Sequence, residues 1–497
     1  MPDVVLINPQ TDFDIRNVTT RLPLAMLYIG SALGREGFSV RIVDARVDPR
    51  WQETLRQSLE SPVLWAGITS MSGGQIRWGL KAAQIVRDAN PAVPIVWGGV
   101  HPSILPEQTL ADPLVDLVCV GEGEITAVEL AHRLRRDGPC ADLRDIPGLV
   151  WQRDGSVVRN APRPPMNMDD LPPIDYGLVD IAPYILAEGP GQRSLVLTTS
   201  RGCPMRCGYC YLGVLPEGRR YRAESPERVV DRLEELSRRF GIHTFHIMDD
   251  EFFTQIQRAR GVCEIILERR LEFRLRAACR IDYVNRMDRE TLDLFRNAGF
   301  EHLFLGAESG SDRVLEFIQK GITRADIVEA NRRLREARIA PKFSFMGGFP
   351  SESLDEVKAT LRLMVELVVD NANAYCTPIQ LYSPYPGTPL FEFCVEQGMD
   401  APKSLEAWSD WSWEAINFSR LTPAEDEALK RIAIFSFFID GKTVPENAAG
   451  NPLMAAVARI YGAYIRARVR TGCYACMPEV ALIKSAMDRT RRRIRGL

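Results

Sequence analysis

The sequence SLVLTTSRGCPMRCGYCYLG (194–213) joins an apolar run to a loop that contains three cysteines. Residues 194–199 predict a β-strand, and Cys203, Cys207 and Cys210 follow it with the spacing CxxxCxxC. Three thiolates on one short loop can bind three irons of a [4Fe–4S] cube, which normally has four cysteine ligands. The fourth iron is then open, and an open coordination position distinguishes a reactive metal site from a structural one. A zinc site is the alternative, although the neighbouring sequence offers no evident fourth ligand.

The length and composition of the chain agree with a large intracellular enzyme. A chain of 497 residues is too long for one core and predicts two or three domains. Its net charge of −3 gives no reason to expect nucleic acid or an anionic membrane as a partner. The first residues lack the pattern of a signal peptide, and the sequence has no apolar run of transmembrane length. Eleven scattered cysteines do not suggest a disulfide framework, so we expect reduced thiols and a cytoplasmic location.

The N-terminal third alternates strand-like and helical segments. Helical spacing of apolar residues occurs at 22–35, 74–90 and 125–136. This alternation predicts a doubly wound parallel sheet, whose ligands bind at the carboxyl ends of the strands. The strand-like runs are VVLINP (4–9), SVRIVDA (39–45), VLWAGITS (63–70), PIVWGGV (94–100) and LVDLVCVGEGE (114–124).

Glycines follow three of these predicted strands. They lie in the loops 70–74, 98–99 and 121–124, where a backbone without side chains can approach a bulky ligand. The first strand is followed by Asn8-Pro9-Gln10, which does not supply the GxGxxG of a conventional dinucleotide site.

A hairpin and a proline-rich stretch separate this third from the rest. Residues 146–160 contain two β-rich runs around an Asp-Gly turn, and residues 161–177 contain five prolines, which predict an extended linker. We therefore expect a first domain over 1–145, a hairpin and linker over 146–190, a second domain over 191–395 and a helical region over 396–497.

The second domain repeats the alternation of strands and helices. Six predicted βα steps follow the linker, and Ser353-x-x-Glu356 predicts a capping box at the start of a helix. The predicted strands are 194–199, 243–248, 273–279, 302–307, 342–350 and 373–387. The predicted helices are 225–240, 254–270, 288–298, 311–320, 324–337 and 353–367.

The C-terminal hundred residues carry weaker signals. Thr422-Pro423-Ala424-Glu425 predicts a second capping box. For the tryptophans of WSDWSW we expect packing of a helix against the second domain, with an aromatic substrate pocket as the alternative. Cys473 and Cys476 form a CxxC that indicates buried or incidental cysteines more than an auxiliary metal site. The five arginines of 489–495 are typical of a solvated helix end.

The three-cysteine loop, including the aromatic Tyr209 before its third cysteine, resembles the signature of the radical S-adenosylmethionine (radical SAM) enzymes. The N-terminal domain, with GGVHPSILPE (98–107) and VGEGE (120–124), resembles the cobalamin-binding domain fused to many of those enzymes. This resemblance covers about residues 3–390. It implies a partial (β/α)6 barrel after the linker, and a [4Fe–4S] cluster, SAM and cobalamin as cofactors. A response-regulator-like or nucleotide-binding sheet is the alternative for the first domain.

The resemblance also implies site residues. Ser70, Ser72, Gly98, Gly99 and Glu122 correspond to loops that border cobalamin. The loop after the first strand lacks the DxHxxG motif whose histidine ligates cobalt in many cobalamin proteins. We therefore expect no protein histidine on cobalt, and we expect His101 to cap the next helix or to line the pocket of the nucleotide tail.

On the radical SAM side, the family places a GGE motif for the SAM amino group after the second strand. Glu251 matches it, while Asp249 and Asp250 replace the glycines, and Asp249 is equally suited to capping a helix. Other SAM-binding positions implied by the resemblance are Tyr209, Arg280, Glu308, Ser309 and Gly347.

The implied function is transfer of a methyl group from SAM, through cobalamin, to an unactivated carbon of a small natural-product substrate. An oxidative cyclase or other non-methylating radical enzyme of tetrapyrrole or hopanoid type is the alternative. A non-catalytic cobalamin or iron sensor is disfavoured by the intact set of SAM loops. We expect an electron donor such as flavodoxin or ferredoxin as a partner, and the sequence leaves the substrate and the oligomeric state open.

Overall fold

The computed structural model describes residues 1–12, 14, 19–189, 192–411, 418–442 and 452–474. The chain forms two compact units. The first contains Met1–Ile185, Tyr211–Arg219 and Tyr385–Ser412, and the second contains Leu186–Cys210, Arg220–Pro384 and Trp413–Leu497. Each unit is built on one seven-stranded sheet.

The sheet of the first unit has the order β2-β1-β3-β4-β5-β6-β7. The first five strands are parallel, and β6 and β7 continue the sheet antiparallel. The strand order reverses around β1, as the prediction of a doubly wound sheet requires. The strands are β1 (Val4–Asn8), β2 (Val40–Asp44), β3 (Trp65–Thr69), β4 (Ile95–Gly98), β5 (Leu117–Cys119), β6 (Leu149–Arg153) and β7 (Ser156–Arg159).

Helices cover this sheet, and β1 is buried along its whole length because both of its faces are covered. Three short helices, over Trp51–Ser58, Val100–Ile104 and Pro106–Leu110, were not predicted from the sequence. The helices are α1 (Leu24–Arg35), α2 (Trp51–Ser58), α3 (Gly74–Ala89), α4 (Val100–Ile104), α5 (Pro106–Leu110) and α6 (Glu124–Asp137).

The hairpin and the proline-rich stretch differ from the expected linker. The predicted Asp154-Gly155 turn is present, with positive φ at both residues, but its strands β6 and β7 extend the first sheet. Downstream, the Tyr184 hydroxyl donates a 2.8 Å hydrogen bond to Asp44, and Thr20 donates one to the Pro183 carbonyl. Proline removes backbone donors, but Met168, Leu171, Ile174 and Tyr176 are buried, and the whole stretch belongs to the first unit.

The sheet of the second unit has the order β16-β15-β14-β13-β12-β9-β8. Six parallel strands form the curled half-barrel, and β8 pairs antiparallel at the edge. The partial (β/α)6 barrel is therefore confirmed. The strands are β8 (Leu186–Gly189), β9 (Gln192–Leu197), β12 (Thr244–Ile247), β13 (Arg274–Ala278), β14 (Phe300–Glu308), β15 (Ala340–Gly347) and β16 (Tyr375–Leu381), with a separate small pair β10 (Ser200–Arg201) and β11 (Arg222–Ala223).

Both predicted capping boxes form, at Ser353 with Glu356 and at Thr422 with Glu425. In each, the glutamate accepts from the backbone N–H of the residue that caps the helix. The remaining helices are α7 (Pro226–Phe240), α8 (Ile256–Glu268), α9 (Ile281–Arg286), α10 (Arg289–Asn297), α11 (Asp312–Phe317), α12 (Arg324–Ala337), α13 (Leu354–Asp370), α14 (Pro389–Glu396), α15 (Pro423–Ser436) and α16 (Pro452–Arg470).

The segment 385–412 belongs to the first unit, although it follows the last strand of the second. Trp408 is 1% exposed and its indole N–H donates a 2.6 Å hydrogen bond to Gln108. The expected packing of this tryptophan against the barrel is therefore wrong, because its partners lie in the first unit. Trp413, Cys476 and the arginines of 489–495 lie outside the described residues. Among the described helices, none combines the length and the apolar character needed to cross a bilayer.

Candidate functional site

The three-cysteine loop begins at the carboxyl end of β9 and is held by two aspartates that follow β12. Asp249 accepts hydrogen bonds from the Thr199 N–H and from the hydroxyls of Thr199 and Ser200. Asp250 accepts the N–H of Gly202, a residue with φ +85°. The two aspartates at the expected GGE position thus fix the backbone that leads into the loop, and Asp249 does not act as a helix cap.

None of these three cysteines forms a disulfide; Cys207 is buried, and Cys203 and Cys210 are half-buried. Burial is the main cause that raises the pKa of the Cys203 thiol, and the nearby Glu251 carboxylate acts in the same direction. In the described part of the chain, no three His, Cys, Asp or Glu side chains converge on a point where one metal ion could sit. A cube binds each thiolate through a different iron, so the donor set fits a cluster better than a single zinc ion.

Glu251 is 3% exposed and accepts the Phe253 N–H at 3.1 Å. Burial raises the pKa of its carboxyl to about 8, against the opposing effect of Arg280. Arg280, at the end of β13, lies 3.9 Å from the Cys207 Sγ and forms a 2.8 Å ion pair with Asp282. The structure therefore brings Glu251 and Arg280 to the cysteine loop.

Glu308 ends β14 with φ +62°, a left-handed conformation that is uncommon outside glycine. Its Oε1 accepts from the Tyr209 hydroxyl at 3.0 Å and from the Lys320 Nζ at 2.7 Å. Ser309 is also buried, but its hydroxyl lies within hydrogen-bond distance of Thr360 and Ser311. Lys320 was not predicted from the sequence, because no local pattern distinguishes a buried lysine from a solvated one.

Gly347 ends β15, and a Cβ there would lie 2.9 Å from Ile379, so the position is closely packed. Beside it, the Glu352 Oε2 accepts the N–H groups of Gly348 and Phe349. Glu352 is 3% exposed, and its Oε1 is buried without a hydrogen-bond partner. Burial raises the pKa of this carboxyl to about 8.

In the first unit, the loops after β3 and β4 are joined by backbone hydrogen bonds from Ser70 to Gly98 and from His101 to Ser70. The Ser70 hydroxyl is buried and has no hydrogen-bond partner. Gly99 has φ +93°, and a Cβ there would lie 2.6 Å from the Thr69 hydroxyl. A buried, unsatisfied hydroxyl beside a backbone that tolerates only glycine fits a bulky ligand with polar groups.

His101 belongs to α4 and is fully buried. Its Nδ1 lies 2.9 Å from the Ser72 hydroxyl, its Nε2 has no partner, and the Trp408 ring packs edge-on at 5.4 Å. Burial lowers the pKa of this imidazole to about 4, so it is neutral near pH 7. The structure thus joins Ser70, Ser72 and Gly99 around His101.

Glu122 lies in the loop between β5 and α6, where the N–H of the neighbouring Gly121 donates a 2.9 Å hydrogen bond to the Ser103 hydroxyl of α4. Glu122 lines a cleft together with Gly121, prolines of the linker and Pro216. All of these residues belong to the first unit.

Comparison with known proteins identifies two families in the chain. The B12 binding domain family matches residues 19–131, and the Radical SAM superfamily matches residues 197–364. An uncharacterized methyltransferase of Pyrococcus horikoshii is 30% identical over 447 residues, which cover 89% of this chain and 93% of the relative. A cytidylyl-2-hydroxyethylphosphonate methyltransferase of Streptomyces wedmorensis is 27% identical over 86% of this chain and 88% of its own length.

An anaerobic magnesium-protoporphyrin IX monomethyl ester cyclase of Cereibacter sphaeroides is 28% identical, and the match covers 76% of this chain and 60% of the cyclase. Among solved structures, the radical SAM methyltransferase TsrM of Kitasatospora setae has a TM-score of 0.68 at 21% identity, covering 94% of this chain and 98% of that one. The cobalamin-dependent radical SAM enzyme OxsB has a TM-score of 0.73 at 20% identity over 99% of this chain and 75% of OxsB. At these identities the two structures establish the fold. The chain therefore belongs to the cobalamin-binding radical SAM enzymes.

Proposed function

We propose that this chain is a cobalamin-dependent radical SAM methyltransferase that transfers a methyl group from SAM to an unactivated carbon of a small-molecule substrate. The observation that carries the proposal is that one chain contains two features. One is a loop with three cysteines outside any disulfide, next to a buried ion pair, and the other is a glycine-rich pair of loops around the buried, unsatisfied Ser70 hydroxyl. Methyltransferases that match nearly the whole chain support this activity over a cyclase, whose match covers a smaller share of both proteins.

In this proposal Cys203, Cys207 and Cys210 bind three irons of the cluster. Radical chemistry on SAM and methyl transfer through cobalamin are supplied by these cofactors when they are bound. The protein holds the cofactors and the substrate in place and excludes water from them. The residues that would surround SAM are Tyr209, Glu251, Arg280, Glu308, Ser309 and Gly347, and those that would border cobalamin are Ser70, Ser72, Gly98, Gly99 and Glu122.

The charges near the cysteine loop suit a zwitterionic ligand. SAM carries a carboxylate and an ammonium on one carbon, and the loop is flanked by the Arg280 guanidinium and by two buried carboxyls, Glu251 and Glu308. A guanidinium binds a carboxylate, and a carboxylate binds an ammonium, through charge-assisted hydrogen bonds. A one-electron donor of the flavodoxin or ferredoxin class would reduce the cluster.

The test supplies the anaerobically reconstituted protein with hydroxocobalamin, a reductant and SAM that carries a CD3 group. Before any substrate is added, a methyltransferase should place an intact CD3 group on cobalamin and release S-adenosylhomocysteine. With substrate, it should form S-adenosylhomocysteine and 5′-deoxyadenosine in comparable amounts. Small-molecule fractions can then be screened for a product that contains the intact label. Formation of 5′-deoxyadenosine without any labelled cobalamin or product would instead favour the cyclase.

The matched control is the triple variant in which Cys203, Cys207 and Cys210 are replaced by alanine. It should lose the bound iron and the cleavage of SAM to 5′-deoxyadenosine, but it should still bind hydroxocobalamin, because the candidate cobalamin residues lie in the other unit. A reducible cube in the triple variant would show that the cluster is bound elsewhere.

A further inference from the structure

One turn of the chain, residues 318–321, contacts the cysteine loop from a position more than a hundred residues downstream. The Ile318 carbonyl accepts the Gly208 N–H at 2.9 Å, and the Lys320 Nζ lies 3.2 Å from the Tyr209 hydroxyl. The turn has a sharply bent backbone, with positive φ at Gln319 and Gly321. All of these residues belong to the second unit.

A second connection runs from this turn to the cysteine that is most buried. The Arg280 Nη2 donates a 3.0 Å hydrogen bond to the Lys320 carbonyl, and the Arg280 Nη1 lies 3.9 Å from the Cys207 Sγ. The 318–321 turn is thus joined to the cysteine loop through the Gly208 backbone, the Tyr209 hydroxyl and Arg280.

Lys320 is buried, and its ammonium forms a 2.7 Å ion pair with the equally buried Glu308. The pair lies directly over Gly306, where a Cβ would lie 2.4 Å from Glu308 Oε1 and 2.6 Å from Lys320 Nζ. Removing one partner of a buried pair leaves the other charge uncompensated. Such a charge is weakly screened, so it acts over longer distances than a charge on the surface.

We propose that Lys320 is a positioning residue of the cluster site. Its ammonium holds the cysteine loop through the Tyr209 hydroxyl, and its buried positive charge raises the reduction potential of the bound cluster. The inference rests on the proposed function, because it requires the cluster at Cys203, Cys207 and Cys210. Its basis is electrostatic: reduction adds one electron to the cluster, and a nearby cation stabilises the more negative state.

The experiment is an EPR-monitored redox titration of the reconstituted full-length protein with dithionite, at one fixed pH for all variants. Lys320→Met should make reduction at least tenfold less favourable, which for a one-electron couple is about 59 mV toward more negative potential. Lys320→Arg should restore the wild-type potential, since it keeps the charge. Lys342→Met is the control, because Lys342 lies near the start of β15 and away from the carboxyl ends of the strands.

Glu308→Gln removes the opposite charge of the pair and should move the potential in the positive direction. If Lys320→Met fails to bind iron, Glu308→Gln still tests the effect of the buried charges on the reduction potential, because it keeps the Lys320 side chain. If Lys320→Met binds its full iron content, an unchanged reduction potential in that variant would overturn the proposal. If Lys320→Met binds no iron, an unchanged reduction potential in Glu308→Gln would overturn it. Absence of any cluster in the wild-type protein would instead contradict the proposed function.

Discussion

At the scale of single residues, burial controls the chemistry of the carboxyl groups at the barrel edge. Glu352 lies in the loop before α13, and Glu356 lies four residues later in the first turn of that helix. Their surroundings shift the two pKa values in opposite directions. Glu352 is buried with one unpaired oxygen, while Glu356 pairs with Arg313 and accepts hydrogen bonds from Ser311 and Ser353. Glu352 and Glu356 should therefore affect the pH dependence of stability in opposite directions.

We expect Glu352→Gln to stabilise the protein at pH 8. The pKa of Glu352 is about 8 in the folded protein and 4.5 in the reference state, so between these values only the unfolded chain is ionised. Wild-type stability should therefore fall as pH rises from about 4.5 to about 8, on the order of a few kcal/mol, and the variant should lack that fall. Denaturant unfolding of both proteins at a series of pH values measures the difference.

Glu356→Gln is the matched control with the opposite sign. The Arg313 guanidinium is the main cause that lowers the pKa of Glu356 to about 2, so its contribution is present above pH 4.5 and is lost as pH falls toward 2. The side chain is partly exposed, so we expect a loss of no more than about 1 kcal/mol at neutral pH. Equal pH profiles for the two variants would refute both assignments.

His101 gives a spectroscopic prediction. The Nδ1 of the buried imidazole lies 2.9 Å from the Ser72 hydroxyl and Trp408 packs against the ring, which leaves the Nε2 as its one nitrogen without a partner. The loop after β1 lacks the histidine motif for cobalt, so we expect His101 to support the neighbouring loops and not to ligate cobalt. EPR of the bound Co(II) form should therefore lack the nitrogen splitting of an imidazole ligand. A splitting that disappears in His101→Ala would show that His101 does bind cobalt.

At the scale of elements, the Glu308–Lys320 ion pair at the carboxyl end of β14 packs closely against a glycine of the same strand. Gly306 leaves room for the Glu308–Lys320 pair, and any larger side chain would displace at least one of the two charges. By contrast, Gly34 in α1 faces open space, where a Cβ would have no neighbouring atom within 4 Å. Substitution by alanine should therefore have different effects at the two glycines.

Gly306→Ala should weaken SAM binding roughly tenfold and cost about 1–3 kcal/mol of stability, because the added methyl overpacks the buried pair. Gly34→Ala should leave SAM binding unchanged and stabilise the protein by up to about 1 kcal/mol, since alanine favours a helix interior more than glycine does. Calorimetric titration of SAM and thermal unfolding measure the two effects. Equal SAM affinity in both variants would show that the pair does not position the SAM site.

At the scale of the whole molecule, the first unit is completed by a segment that is remote in sequence. The 385–412 segment places Trp408 beside His101 and Phe391, and the Trp408 carbonyl accepts the Gly73 N–H at 3.1 Å. Arg77 in α3 forms ion pairs with Asp12 and Asp410 and so ties this segment to the loop after β1. The first unit is thus stabilised by residues from three separate parts of the chain.

Trp408→Ala should destabilise the first unit by about 3–5 kcal/mol, the usual cost of removing a buried tryptophan. Hydrogen exchange should accelerate in the loop after β3 and in α4, both of which contact this segment. Trp408→Phe is the control, since it keeps ring packing and loses only the hydrogen bond to Gln108. Unchanged exchange in Trp408→Ala would show that the segment does not support these loops.

The sequence by itself determined the alternation of strands and helices in both units and the two capping boxes, because these depend on short-range periodicity and on residues three or four apart. The half-barrel was implied by the resemblance to the radical SAM enzymes. The sequence also placed the three cysteines in a loop after a strand, because the strand and the loop are consecutive in the chain. Only the tertiary structure decided that Lys320 pairs with Glu308, that the aspartates after β12 hold the cysteine loop, and that Trp408 packs in the first unit. Those contacts join residues separated by long stretches of chain, and local sequence patterns carry no information about such pairs until the fold brings them together.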